Sequence, residues 1–79
     1  MESKNEKFMR LAEARTNSAI QKIQLIGNLA NTRNYSYDKQ EVDEIFKAIE
    51  RELLRTKKLF EIELSKESSH FSFSKFKGE

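Results

Sequence analysis

The side chains of this chain that are suited to chemistry are cationic, amide and aromatic rather than nucleophilic. The 79 residues include no cysteine and one histidine, His70, which excludes a thiolate metal site and a zinc site built from several imidazoles. The sequence has no glycine-rich phosphate loop, no nucleophile elbow and no Glu-x-x-His pattern. We therefore predict a protein that is not an enzyme and that uses no cofactor, metal or small-molecule substrate. His70 is predicted to be exposed.

Four basic residues recur with helical spacing in the second half of the chain. Steps of four, four and three positions place them on one helix face: Lys47, Arg51, Arg55 and Lys58. Such a basic stripe can follow the phosphates of a nucleic acid, with an affinity that falls as salt rises. The competing interpretation is an ordinary solvated face, because acidic neighbours weaken its field and the net charge of the chain is only +2.

An asparagine- and tyrosine-rich junction, residues 28–37, separates two runs with helical spacing. Its candidate partner-binding residues are Asn31, Arg33, Asn34 and Tyr35. The competing interpretation is structural: an asparagine in the left-handed conformation ends the first helix. Tyr37 would then pack against Val42 as a hydrophobic staple of the second helix.

The C-terminal tail, residues 68–79, alternates phenylalanine with serine. Its aromatic residues are Phe71, Phe73 and Phe76. Three phenylalanines in six residues are more than a disordered linker usually carries. Either the rings fold back onto the helices, or the tail is a second partner-binding segment that inserts them into another protein.

Two amphipathic helices must position these groups, and the first is predicted over residues 4–30. Ser3 and Glu6 have the spacing of a capping box. Heptad spacing then defines an apolar seam of small and medium residues: Met9, Ala12, Thr16, Ala19, Ile23, Ile26 and Ala30. Gly27 lies beside this seam, so a close approach by a partner helix is predicted there.

The second helix is predicted over residues 39–66, after a loop over residues 31–38. Asp38 and Glu41 repeat the capping pattern. The seam of this helix is bulky: Val42, Phe46, Ile49, Leu53, Thr56 and Phe60. A small seam that faces a bulky one predicts a coiled-coil-like antiparallel hairpin over residues 1–67.

Apolar residues outside both seams predict that the chain associates with itself. They are Leu11, Leu25, Ile45, Leu54 and Ile62. A core in a chain of this length supplies only about 3–5 kcal/mol, and a second copy would enlarge it. The predicted fold is therefore all-α: a two-helix antiparallel hairpin that forms a homodimer with the architecture of a four-helix bundle.

The junction contains the pattern NL-x-N-x-x-N-Y-x-Y between two helices. It is carried by Asn28, Leu29, Asn31, Asn34, Tyr35 and Tyr37. Through this pattern, residues 10–61 resemble a family of small, uncharacterised bacterial proteins found on phages, plasmids and integrated mobile elements. The resemblance carries over no activity, but it implies an adaptor or inhibitor of host machinery, such as a defence nuclease or a regulator.

Three functions follow from these patterns. The first is a non-enzymatic, homodimeric module that binds another protein as an adaptor or inhibitor. The second is a nucleic-acid-binding regulator that acts through the basic stripe, and the third is a structural subunit of a larger assembly. No apolar run approaches the roughly 18 residues of a membrane span, and no signal-peptide core follows the charged N-terminus. We expect a cytoplasmic protein that does not bind membranes.

Overall fold

A computed structural model describes residues 1–69, which contain two α-helices and no strand. Helix α1 spans Lys4–Gly27, a short 3-10 turn spans Asn28–Ala30, and helix α2 spans Lys39–Ser69. The all-α class is thereby confirmed, whereas the antiparallel hairpin and its dimer remain predictions. Neither helix in this range is long and apolar enough to cross a membrane. His70 and the tail residues Phe71, Phe73 and Phe76 lie outside the described residues.

The chain divides into two units, Met1–Ser36 and a second that begins at Tyr37. The first unit starts with the predicted capping box. The backbone N–H of Glu6 donates to Ser3 Oγ at 3.0 Å, and the backbone N–H of Ser3 donates to Glu6 Oε1 at 2.8 Å. Both bonds satisfy N–H groups that the first turn of a helix would otherwise leave without partners.

The end of α1 differs from the prediction. Asn28 is right-handed, with φ −65° and ψ −19°, and no residue of the described chain has a positive φ. The expectation of a left-handed asparagine is therefore wrong. The backbone instead tightens into the 3-10 turn over Asn28–Ala30, so the α-helix ends at Gly27 rather than at residue 30.

Helix α2 begins with a second capping box. The backbone N–H of Glu41 donates to Asp38 Oδ1 at 2.8 Å, and the backbone N–H of Asp38 donates to Glu41 Oε1 at 2.9 Å. Lys39 Nζ also pairs with Asp43 Oδ2 at 2.9 Å, one turn further on. The helix continues to Ser69, three residues beyond the predicted end at residue 66, because serine is only a moderately poor helix former.

No side chain over residues 1–66 is buried, and most of the apolar seam residues are exposed. Phe46 is 47% exposed and Leu53 is 56% exposed. The half-buried residues are Leu11, Ala12, Ile26, Val42 and Ile49. Amphipathic helices in proteins gain most of their stability by packing their apolar face. Packing the exposed seams of α1 and α2 against another apolar surface would therefore stabilise both helices.

Candidate functional site

Asn31 organises the backbone of the junction through three hydrogen bonds. Its side-chain Oδ1 accepts from the backbone N–H of Arg33 at 2.9 Å. Its carbonyl oxygen accepts from the backbone N–H groups of Asn34 at 3.2 Å and of Tyr35 at 3.0 Å. Asn31 itself is extended, with φ −67° and ψ 105°. The residue thus caps one helix-like turn in the manner of an Asx turn, and this gives it a structural role.

The turn presents three consecutive side chains to solvent, those of Arg33, Asn34 and Tyr35. All three are exposed, and Tyr35 retains 48% of its accessible surface. Within residues 1–66, the Arg33 guanidinium forms no ion pair. The patch therefore offers a cation, a carboxamide and a phenol ring. Arginine and tyrosine are enriched among residues that dominate protein interfaces.

Few of the cations in the basic stripe of α2 form salt bridges. In the part of the chain that the structure describes, its one salt bridge joins Arg55 Nε to Glu52 Oε2 at 3.6 Å. Both partners are exposed, and exposed pairs of this kind are weak. The stripe continues into a shallow surface groove in which the acidic side chain of Glu61 lies among its lining residues, which are Lys58, Glu61, Ile62, Ser65 and Lys66. The four predicted stripe residues do share one face of the helix, because α2 is continuous from Lys39 to Ser69.

A third polar feature joins the N-terminal segment to α1, and sequence reasoning missed it. Arg10 Nε donates to Glu2 Oε2 at 2.8 Å, and Arg10 Nη2 donates to Glu2 Oε1 at 3.0 Å. The hydrogen bond from Arg10 lowers the pKa of Glu2, and the same bond raises the pKa of Arg10. The eight-residue spacing spans the helix start, so it matches no standard helical pair pattern. A bidentate pair of this geometry ties the first residues to the helix.

Over residues 1–66, no three histidine, aspartate, glutamate or cysteine side chains come together as metal ligands. No protein-family model matches the chain, no curated protein matches it in sequence, and no solved structure matches it in fold.

Proposed function

We propose that the protein is a non-enzymatic helical hairpin that captures another protein through its junction and acts as an adaptor or inhibitor. The observation that carries the proposal is the turn built by Asn31. Three hydrogen bonds to Asn31 hold the backbone of this turn, while the side chains of Arg33, Asn34 and Tyr35 stay exposed. A pre-formed turn lowers the entropic cost of binding, because its backbone does not have to be ordered by the partner.

The matching spacing of the two seams supports the hairpin. In an antiparallel pair, a step forward along one helix and an equal step back along the other lead to residues at the same height, which face each other. Seven-residue steps then align three pairs: Met9 with Phe60, Thr16 with Leu53 and Ile23 with Phe46. The intervening positions align three more: Ala12 with Thr56, Ala19 with Ile49 and Ile26 with Val42. A small or medium residue of α1 thus faces a bulkier or branched one of α2 in most layers.

The seams leave the junction at one end of the proposed hairpin, where it is accessible to a partner. A partner with an acidic or amide-rich surface fits the patch, because Arg33 can bind a carboxylate in a bidentate manner and Asn34 can both donate and accept. Tyr35 would supply apolar contact area and a hydroxyl group. The resemblance to proteins of mobile elements favours a target in the host machinery.

The test compares two double variants of the immobilised protein. In the first, Asn34→Ala with Tyr35→Ala removes two of the presented side chains and leaves Asn31 in place. In the second, Gln21→Ala with Gln24→Ala removes two exposed side chains of α1 as a matched control. Bacterial lysate is passed over each variant, and bound proteins are quantified by mass spectrometry.

We expect at least one protein to be retained by the wild-type chain and by the control, and to be lost at least tenfold from the junction variant. Helicity and melting temperature should be the same in all three proteins. If the junction variant retains the same proteins as the control, the proposal fails. If its melting temperature falls sharply, these side chains are structural and the proposal fails as well.

The charge left on the basic stripe favours a second candidate function, the binding of nucleic acid. A labelled 20-base-pair DNA duplex and an RNA hairpin serve as probes between 50 and 200 mM salt, a range over which phosphate contacts weaken binding steeply. Arg51→Glu with Arg55→Glu should abolish binding. Lys39→Glu with Lys57→Glu makes the same change in charge away from the stripe and should have a smaller effect. Binding that does not depend on salt would exclude this function.

A further inference from the structure

The stretch from residue 14 to residue 36 contains no carboxylate. All 13 aspartates and glutamates of the chain lie outside it, although charged residues make up 35% of the whole sequence. Its charged side chains are three cations, Arg15, Lys22 and Arg33. The stretch lies entirely within the first unit, Met1–Ser36. Because no carboxylate within the stretch opposes these cations, it is suited to a polyanionic ligand.

Four carboxamides share one face of the first unit within this stretch, and we name them the amide stripe. Steps of four, three and four positions connect Asn17, Gln21, Gln24 and Asn28. Asn28 follows the last residue of α1, but its right-handed backbone, with φ −65° and ψ −19°, continues the helical path. All four residues are exposed. The stripe is therefore a row of amide groups open to solvent.

Residues that continue the same spacing bound the amide stripe at both ends. Towards the N-terminus the spacing reaches Glu13 and then Arg10, whose guanidinium is hydrogen-bonded to Glu2. Towards the C-terminus it reaches Asn31, whose side-chain oxygen accepts from the backbone N–H of Arg33. The face open to a ligand is therefore limited to the amide stripe itself, which is about 16 Å long.

The amide groups of the stripe are not used inside the protein. Within residues 1–66, none of the four side chains forms a hydrogen bond. By contrast, Gln40 Nε2 on α2 donates to Glu44 Oε2 at 3.3 Å. A carboxamide carries N–H donors and a carbonyl acceptor on one edge. Each member of the stripe can therefore both donate to and accept from a single ligand group.

We propose that the amide stripe reads base pairs in the major groove of a DNA duplex. An asparagine or glutamine side chain forms two hydrogen bonds with one adenine, in which it accepts from N6 and donates to N7. The major groove is about 12 Å wide and admits an α-helix. A stripe of about 16 Å spans about five base pairs, since each base pair adds 3.4 Å.

The charge around the stripe favours DNA over a protein partner. Lys22 follows Gln21 and lies about 100° further around the helix, from where its long side chain can reach a phosphate beside the groove. The basic stripe of α2 differs, because Glu44, Glu50 and Glu52 lie close to it in sequence. RNA fits less well than DNA, because the major groove of an A-form duplex is too narrow for side chains to read.

The amide stripe and the seam of α1 lie on nearly opposite sides of the helix. With about 100° of rotation per residue, the centre of the stripe is about 140° from the centre of the seam. A duplex bound to the stripe would therefore leave the seam open to packing. Only residues of the first unit take part, so this binding does not depend on the proposed hairpin.

The experiment first selects a DNA site for the full chain. The immobilised protein is offered duplexes of about 20 base pairs whose central ~8 base pairs are random, at about 100 mM salt because affinities depend on it. Retained duplexes are sequenced. Dissociation constants are then measured by fluorescence anisotropy for the selected duplex, for a duplex with the same bases in scrambled order, and for an RNA duplex of the selected sequence.

Two double variants change the stripe and retain residues that favour a helix. Gln21→Ala with Gln24→Ala removes two amides. Gln21→Glu with Gln24→Glu keeps the shape of both side chains but places two carboxylates against the DNA. Lys57→Glu on α2 is the matched control, because it makes the same change in net charge outside the stripe.

We expect the wild type and Lys57→Glu to prefer the selected duplex, with adenines in its central base pairs, at least tenfold over the scrambled one. The alanine variant should lose this preference, and the glutamate variant should bind neither duplex. The proposal is overturned if no site is enriched or if the alanine variant keeps the tenfold preference. It is overturned as well if the RNA duplex binds as tightly as the DNA.

The same variants separate this proposal from the capture of a protein by the junction. Gln21→Ala with Gln24→Ala should lose DNA selectivity and still retain the protein partner from nuclease-treated lysate. Asn34→Ala with Tyr35→Ala should lose the protein partner and keep DNA selectivity. If the alanine variant of the stripe loses a protein partner and no DNA site is enriched, the stripe binds protein, and the DNA proposal is overturned.

Discussion

Helices α1 and α2 begin in the same way and differ in nearly everything that follows. Each starts with a reciprocal capping box, at Ser3 with Glu6 and at Asp38 with Glu41. Beyond the caps, α1 has a seam rich in small residues, whereas α2 has a bulky seam. Local capping sets where each helix starts, whereas the seams of the two helices differ in the size of their side chains.

The largest expected effect comes from removing a bulky seam residue of α2. Phe46→Ala in a packed seam should cost about 3–5 kcal/mol, comparable to the whole stability that a core of this size supplies. We therefore expect most helical signal to be lost at 25 °C by circular dichroism. Leu54→Ala is the matched control outside the seam and should lower the melting temperature little. Equal losses for both variants would mean that the seam of α2 does not pack.

The two capping boxes provide the next comparison. Asp38→Ala should destabilise the protein by about 1 kcal/mol, within the usual range of 0.5–2 kcal/mol for a lost cap. Ser3→Ala should cost less, because the first turn of α1 lies at the chain terminus and can fray. Thermal melts of both variants test this order, and Asp38→Asn, which keeps a capping oxygen, should recover most of the loss. A greater loss for Ser3→Ala would contradict it.

Gly27 tests whether α1 is approached closely near its end. A Cβ atom built there meets nothing within 4 Å, so Gly27→Ala should stabilise the helix by about 0.8–1 kcal/mol. The melting temperature should rise. The close approach to Gly27 predicted from the sequence gives the opposite sign, because the added methyl group would then clash. A lower melting temperature would favour that prediction and place α2 against this glycine.

The smallest effect concerns the pair between Glu2 and Arg10. The hydrogen bond lowers the pKa of Glu2 from its ordinary value of 4.5, so its contribution to stability is present above that value and is lost as pH falls through the lowered pKa. Both side chains are exposed, so Glu2→Gln should melt only slightly below wild type at pH 7. At pH 3 the difference should shrink. A larger difference at pH 3 than at pH 7 would reverse the sign.

The helix starts were predictable from the sequence, because a hydroxyl or carboxylate three residues before a glutamate is a local signal that needs no tertiary structure. The helix ends were not. Asparagine is compatible with both a left-handed helix cap and an Asx turn, and Asn31 adopts the Asx turn. The serines near residue 68 predicted that α2 ends before them, but α2 continues to Ser69. No glycine or proline precedes these serines to break the helix.

The candidate surfaces show the same division between local and long-range information. Spacing alone places Lys47, Arg51, Arg55 and Lys58 on one face, since a continuous helix guarantees it. Spacing does not reveal that the side-chain oxygen of Asn31 accepts a hydrogen bond from the backbone N–H of Arg33. That role depends on the conformation of three residues, and the sequence left two conformations open.

The length of α2 sets how far apart its two ends lie. Its 31 residues make the helix about 46 Å long. A small protein bound at the start of α2 would leave the other end of the helix open to a second target. Binding at one end would then raise the effective concentration of the second target at the other end.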